Sequence, residues 1–187
     1  MSLKNTENSF GLVSRANHWV TAFAFILAII TAFVAEEFMA KGEARTQVFH
    51  FHFSLGISLF VLMILRLLWL KISPNPADIG ENRLEIVLSH IVKGFLYLSL
   101  IIMPISGYMM VSAGGNDIGF FNLFTLPNLV GENPDIKAIA KPLHVYSGFF
   151  ITFILFVHIA GALKHHLVYK DNVLNRMLGR HPKDTTN

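Results

Sequence analysis

The sequence predicts an all-α integral membrane protein built as a four-helix bundle, and two observations carry that prediction. First, the 187 residues are 53% hydrophobic and only 14% charged, whereas a soluble domain carries about 25% charged residues. Second, four apolar segments each reach the length of about 20 residues that a helix needs to cross a bilayer. These segments leave room only for short connections, so we expect residues 1–187 to form a single transmembrane domain.

The first two predicted spans cover residues 16–38 and 48–70. The first begins ANHWV, where Arg15 and Trp19 suit a membrane interface and His18 follows just inside. Its apolar run is too long for the core of a signal peptide, so we interpret it as a retained span. The second span has His52 near its start and Arg66 near its end.

The remaining predicted spans cover residues 84–111 and 142–169. The third contains His90 and Lys93, and the fourth contains His144 and His158. Between them, residues 112–141 are rich in Gly, Asn and Pro but include the apolar stretch IGFFNLFTLPNLV. That stretch is too short and broken to cross a bilayer, so we predict a periplasmic loop with an interfacial segment.

Basic residues predict the orientation, because cytoplasmic loops carry an excess of Lys and Arg. The side that holds both termini has nine such residues: Lys4, Arg15, Lys71, Arg83, Lys164, Lys170, Arg176, Arg180 and Lys183. The other side has four: Lys41, Arg45, Lys137 and Lys141. Both termini of this multi-pass membrane protein are therefore predicted to be cytoplasmic. The net charge of +3 fits this arrangement and gives no reason to expect nucleic acid as a partner.

Histidines dominate the search for a functional site, because the chain has nine of them and no cysteine. Thiolate zinc sites, iron–sulfur clusters and covalent c-type haem are thereby excluded. His144 and His158 are fourteen residues apart, which is about 21 Å along a helix and roughly 40° short of four full turns. Both imidazoles therefore lie on one face of the last span, near opposite sides of the membrane.

Histidines that lie at similar depths in the membrane form two candidate pairs, His18 with His158 and His52 with His144. Two imidazoles from facing helices are what a non-covalent b-type haem requires, whereas zinc takes three or four ligands at one depth. Small residues one turn after each histidine leave room for a flat ring: Ala22, Gly56, Gly148 and Ala162. The same feature follows His50 and His90, so it supports haem without choosing the ligands.

Three further residues are candidates for cofactor contacts at the cytoplasmic depth. Arg66 either pairs with an anion, of which a haem propionate is the natural one, or extends to the membrane surface. His90 and Lys93 are three residues apart on the third span, and either could contact a propionate or a quinone carbonyl. The alternative for both is an ordinary polar contact with their surroundings.

Several motifs carry a resemblance to a known family. They are HW at His18, HFSLGISLFVLMILRLLW from His52, LSHIVKGFLYL around His90, MPISGYMM, KPLHVYSGFF and VHIAGALKHHLVYKDNVLNRMLGR. In order and spacing, nearly the whole chain resembles the bacterial cytochromes b561, in particular their superoxide oxidase form. The chain departs from that pattern at Lys93, where the resemblance leads us to expect a histidine.

The resemblance implies a multi-pass protein of the bacterial inner membrane with four spans. It also implies two b haems, one bound by His18 with His158 and the other by His52 with His144. It also implies transfer of electrons from periplasmic superoxide through both haems to ubiquinone. Lys141, three residues before His144, is the best-placed cation to attract superoxide. A cytochrome b subunit that links a redox partner protein to the quinone pool is the alternative function. A transporter with histidine proton relays is disfavoured, because the histidines pair by depth and Asp or Glu occurs only near the ends of the spans.

Overall fold

A computed structural model describes residues 2–80 and 82–180, and four long helices dominate it. They are α1 (Leu12–Phe38), α2 (Glu43–Ile72), α3 (Arg83–Ser112) and α4 (Pro134–Lys164). All four are long and apolar enough to cross a membrane, which confirms the prediction of four such helices. Lys183, which was counted for the orientation, lies outside the described residues.

Each helix is longer than the span predicted from hydropathy, and asparagine side chains cap the starts of α3 and α4. The side chain of Asn82 accepts a hydrogen bond from Leu84 N at the start of α3. At the start of α4, Asn133 accepts from Asp135 N and Ile136 N, and Pro134 occupies the first turn. The segment predicted as a loop over residues 112–141 therefore contains the first two turns of α4.

The other part of that segment is a β-hairpin, which the sequence did not predict. Strands β1 (Ile118–Phe120) and β2 (Phe124–Leu126) pair antiparallel. Phe121 and Asn122 have positive φ angles of 44° and 57°, and Leu123 N donates to Phe120 O. This is the backbone pattern of a type I′ turn, which matches the twist of a two-stranded ribbon.

Backbone packing occurs mainly between consecutive helices, α1 with α2, α2 with α3, and α3 with α4. All four helices contribute to one apolar core, whose most buried members include Ala28, Leu59, Val92 and Ile151. Large apolar side chains on the outside of the bundle stay exposed, as is expected of a surface that faces lipid.

The two ends of the bundle differ, and we name them the termini end and the hairpin end. At the termini end, the short helix α5 (Val173–Leu178) follows a π-helical turn at His165–Tyr169. Arg176 of α5 donates hydrogen bonds to Asn8 O and Ala77 O, 2.7 Å each. This side chain thus joins the N-terminal segment, the α2–α3 connection and the C-terminal helix. The α1–α2 connection and the β-hairpin form the opposite end.

Candidate functional site

His18 of α1 and His158 of α4 face each other toward the termini end. Their ring centroids are 6.3 Å apart and the ring planes differ by 62°. Both side chains are half-buried. A third ring, that of Trp19, lies 5.2 Å from His18 and donates its indole N–H to Met177 O of α5. The C-terminal helix therefore contacts the pair through Trp19, whose ring packs against His18.

His52 of α2 and His144 of α4 form a second pair toward the hairpin end. Their ring centroids are 6.1 Å apart, and the planes are nearly perpendicular at 89°. His50, two residues before His52, is not part of this pair. Its ring packs against Phe53 at 6.2 Å, and it lies beneath Gly119 of the hairpin.

Backbone carbonyls orient the two imidazoles of the hairpin-end pair. His52 Nδ1 lies 2.9 Å from Ala28 O, and His144 Nδ1 lies 3.0 Å from Met103 O. A carbonyl oxygen can only accept a hydrogen bond, so Nδ1 carries the proton in both rings. The Nε2 lone pair is left available for a metal, which is the arrangement usual for metal-binding histidines.

The hydroxyl of Ser106 adds a second polar contact to His144, at 3.1 Å from Nδ1. Gly107, the next residue of α3, is needed for close approach. A Cβ there would lie 3.0 Å from Cε1 of the His144 ring. Sequence reasoning did not select Ser106 or Gly107, although both belong to the MPISGYMM motif. Their roles depend on the contact between α3 and α4, which the sequence does not show.

The geometry of both pairs fits a b-type haem. A metal–imidazole bond is about 2 Å long, so two rings on opposite sides of one metal ion have centroids about 6 Å apart. Beside His18, the buried hydroxyl of Thr21 has no hydrogen-bond partner within residues 2–80 and 82–180. In that same part of the chain, no three His, Asp or Glu side chains gather as a metal cluster would require. The donor set therefore suits two-ligand iron in a haem better than a zinc ion.

Arg66 lies at the depth of the His18–His158 pair, and its partner is a tyrosine. Its Nε donates a hydrogen bond of 2.9 Å to Tyr97 OH, and the guanidinium carbon is 5.5 Å from that ring's centre. No carboxylate in the described part of the chain forms an ion pair with Arg66. The side chain is half-buried, so it is available to an anion from within the bundle.

Asp78 joins His90 to Lys93 at the termini end. His90 Nε2 donates to Asp78 Oδ2 over 2.9 Å, and Lys93 Nζ lies 3.7 Å from Oδ1. The hydrogen bond from His90, aided by the Lys93 ammonium, lowers the pKa of the Asp78 carboxyl below its ordinary value of 3.8. Sequence reasoning missed Asp78, whose one signal is its position in the short connection before α3.

At the hairpin end, Lys141 is exposed on α4, one turn before His144. Arg45 is already engaged in an ion pair with Glu36. Lys137 reaches toward the end of α3, with its Nζ 3.1 Å from the point that a Cβ on Gly114 would occupy.

Comparison with known proteins supplies the family. A family model described as prokaryotic cytochrome b561 matches residues 9–180. Cytochrome b561 homolog 2 of Escherichia coli (strain K12) is 31% identical over 194 residues, which cover 98% of each chain. The probable superoxide oxidase CybB of Yersinia pestis is 30% identical over 86% of this chain and 90% of its own. Cytochrome b561 homolog 1 of Escherichia coli (strain K12) is 26% identical over 92% of this chain and 98% of its own. With four apolar helices that can span a membrane, the chain belongs to the prokaryotic cytochrome b561 family of haem b-binding, electron-transferring membrane proteins.

Proposed function

We propose that this chain is a di-haem b-type cytochrome that oxidises periplasmic superoxide to oxygen and reduces ubiquinone. The observation that carries the proposal is the pair of facing imidazole couples, with ring centroids 6.3 Å and 6.1 Å apart. Because both couples use α4, their spacing is set by the fourteen residues between His144 and His158, about 21 Å. Two such centres connect the two sides of a membrane.

When bound, a b haem supplies reversible one-electron redox chemistry. The chain's own contribution is to bind and orient it. His18 with His158 and His52 with His144 would hold the two haems, and the carbonyls of Ala28 and Met103 hold the His52 and His144 rings in position. Arg66 offers its guanidinium to a propionate at the His18–His158 pair.

Superoxide as the electron donor is supported by the name of the Yersinia pestis relative, probable superoxide oxidase CybB. Each superoxide loses one electron to become oxygen, so two are oxidised for each ubiquinone that takes up two electrons and two protons. The anion does not readily cross hydrocarbon and would react at the periplasmic surface. With the termini cytoplasmic, that surface is the hairpin end, where Lys141 is exposed near His144.

We place ubiquinone at the termini end, where its reduced form can obtain protons. Asp78, His90 and Lys93 form a polar cluster there, and Arg66 lies at the same depth. His90, Lys93 and Arg66 can donate hydrogen bonds to a quinone carbonyl, and His90 and Lys93 can exchange protons with water, whereas the Asp78 carboxylate only accepts. Lys93, which stands where the resemblance leads us to expect a histidine, is anchored by Asp78 in this chain.

The test is superoxide-driven reduction of ubiquinone by the purified chain in liposomes, with no other protein present. We expect quinol to form at half the rate of superoxide loss. The same liposomes without the cytochrome, and cytochrome stripped of haem, provide the background. If haem is reduced only when a partner protein is added, the chain is instead an electron-transfer subunit that links that partner to the quinone pool.

A further inference from the structure

A cavity of about 300 Å³ lies between α3 and α4 near the hairpin end, outside the space between the paired histidines. Its walls are apolar and include Ile105, Met109, Ile136, Ala140 and Leu143. The volume is twice that of a dry engineered cavity that takes up benzene, and it falls at the lower end of small-molecule sites. A void of this size and lining holds a hydrocarbon rather than water.

The cavity opens to the side of the bundle that faces lipid. Ile105 and Leu143 on its rim are 46% and 48% exposed, and the neighbouring Ile139 is 70% exposed. These side chains are continuous with the apolar outer surface of two helices that can span a membrane. A chain from the surrounding bilayer can therefore enter without crossing a polar barrier.

Ser106 contributes the cavity's only hydroxyl among its lining residues, and that hydroxyl is engaged. It donates to Ile102 O over 2.7 Å, and it also contacts Nδ1 of His144. The cavity thus offers no free donor to a quinone carbonyl or another polar head group. Its occupant is expected to bind by its apolar chain and to keep its polar part elsewhere.

A basic residue at the hairpin end of α3 and α4 can contact the polar head group of such an occupant. Lys137 follows Ile136, a cavity residue, and is exposed. Its ammonium lies beside Gly114, two residues after the end of α3. A lysine ammonium at the end of a transmembrane helix can pair with the phosphate of a lipid head group.

We infer that the α3–α4 cavity binds one anionic phospholipid, with an acyl chain between the helices and the phosphate near Lys137. The chain would lie against Ser106, so it would also shield the Ser106–His144 contact from water. This inference does not rest on the superoxide activity, because it concerns the outer surface of the bundle and needs neither donor nor quinone.

The test is native mass spectrometry of the purified haem-loaded protein, which counts and weighs retained lipids. We expect wild type to retain one phospholipid. Ala140→Phe should fill the cavity, because Ala140 is only 4% exposed, and it should lower that occupancy several-fold. Ala160→Phe adds the same side chain to an exposed position of α4 and should leave occupancy unchanged. Should Ala140→Phe lose its haem spectrum, Ile105→Trp would fill the cavity from its rim instead.

Reloading delipidated protein distinguishes the head group. Phosphatidylglycerol should rebind more tightly than phosphatidylcholine, and Lys137→Gln should remove most of that preference. Equal retention in wild type and in the filled variants would overturn the site, as would a retained mass that belongs to a quinone or detergent. Equal rebinding of the two lipids would overturn the assignment to an anionic head group.

Discussion

His50 and His52 lie two residues apart on α2, and their side chains point about 200° apart around the helix. Only His52 meets His144, at 6.1 Å between ring centroids. We therefore expect His52→Ala and His144→Ala each to lower the haem content from two to one per chain, with the absorption of the other haem retained. His50→Ala should retain both haems. Pyridine haemochrome analysis of the purified variants measures this.

The same assay tests the other pair. His158→Ala should remove the haem at the termini end and leave the one bound by His52 and His144. A wild-type content of one haem per chain would contradict the four-ligand assignment. Loss of haem in His50→Ala but not in His52→Ala would mean that the assigned ligand on α2 is wrong.

Asp78 is a residue whose role depends on pH. Its carboxyl has a pKa below the ordinary 3.8, chiefly because His90 donates a hydrogen bond to it. A lowered pKa stabilises the folded state fully above the ordinary value, and that stability disappears as the pH falls through the lowered pKa. Asp78→Asn should therefore destabilise the protein at pH 7, by less than about 1 kcal/mol because the pair is exposed.

Thermal unfolding followed by the haem spectrum should show this difference at pH 7, and the difference should shrink as the pH falls below the ordinary carboxyl pKa of 3.8. Asp117→Asn, at an exposed position of the hairpin end, is the matched control and should change neither. A difference that does not shrink as the pH falls below 3.8 would mean that Asp78 acts through something other than its charge.

At the scale of secondary-structure elements, part of the fold could be predicted from the sequence. The length of an apolar run determines whether a helix spans a membrane, so the four spans follow from composition alone. Fourteen-residue spacing likewise places His144 and His158 on one face; their role as haem ligands stays a prediction. Asp78 and Ser106 act through contacts between elements, which no local pattern encodes. The β-hairpin was not predicted because its turn residues, Phe121 and Asn122, differ from the Asn-Gly pair that is typical of a type I′ turn.

Ser54 holds this hairpin on α2. Its side chain is 1% exposed, and its hydroxyl accepts a hydrogen bond of 2.8 Å from Phe121 N at the turn. Ser54→Ala would leave that N–H without its acceptor, at a cost of about 1–3 kcal/mol. Hydrogen exchange of residues 118–126 should become about tenfold faster.

Ser58→Ala is the matched control, because within the described residues the Ser58 hydroxyl bonds only to Ser54 O of the same helix. It should leave exchange in the hairpin unchanged. Equal acceleration in both variants would indicate a general loosening of α2 rather than release of the hairpin.

Over the whole molecule, the distribution of charge predicts how it sits in the membrane. The chain has no cysteine, so single cysteines report the location of each end. In spheroplasts, a membrane-impermeant maleimide should label Leu129→Cys, which is 79% exposed at the hairpin end. It should label Lys71→Cys, exposed at the termini end, only after the membrane is broken. The reverse pattern would contradict the orientation.

The same charge distribution bears on how superoxide, the proposed electron donor, would reach the protein. The hairpin end has four basic residues and six acidic ones (Glu36, Glu37, Glu43, Asp117, Glu132 and Asp135), a net of 4 − 6 = −2. An anion is therefore repelled by this surface as a whole. Attraction requires a local cation, and Lys141 is exposed one turn from His144, whereas Arg45 is paired with Glu36.

We expect Lys141→Glu to slow reduction of the haems by superoxide at low salt, with both haem spectra unchanged. Added salt should shrink the difference, because exposed charges are screened over about 8–10 Å. Lys41→Glu changes the net charge equally in the α1–α2 connection and is the control. Stopped-flow rates over a range of ionic strengths measure both. If the two variants slow the reaction equally, the net charge of the surface governs entry; if Lys141→Glu matches wild type at low salt, this lysine does not guide superoxide.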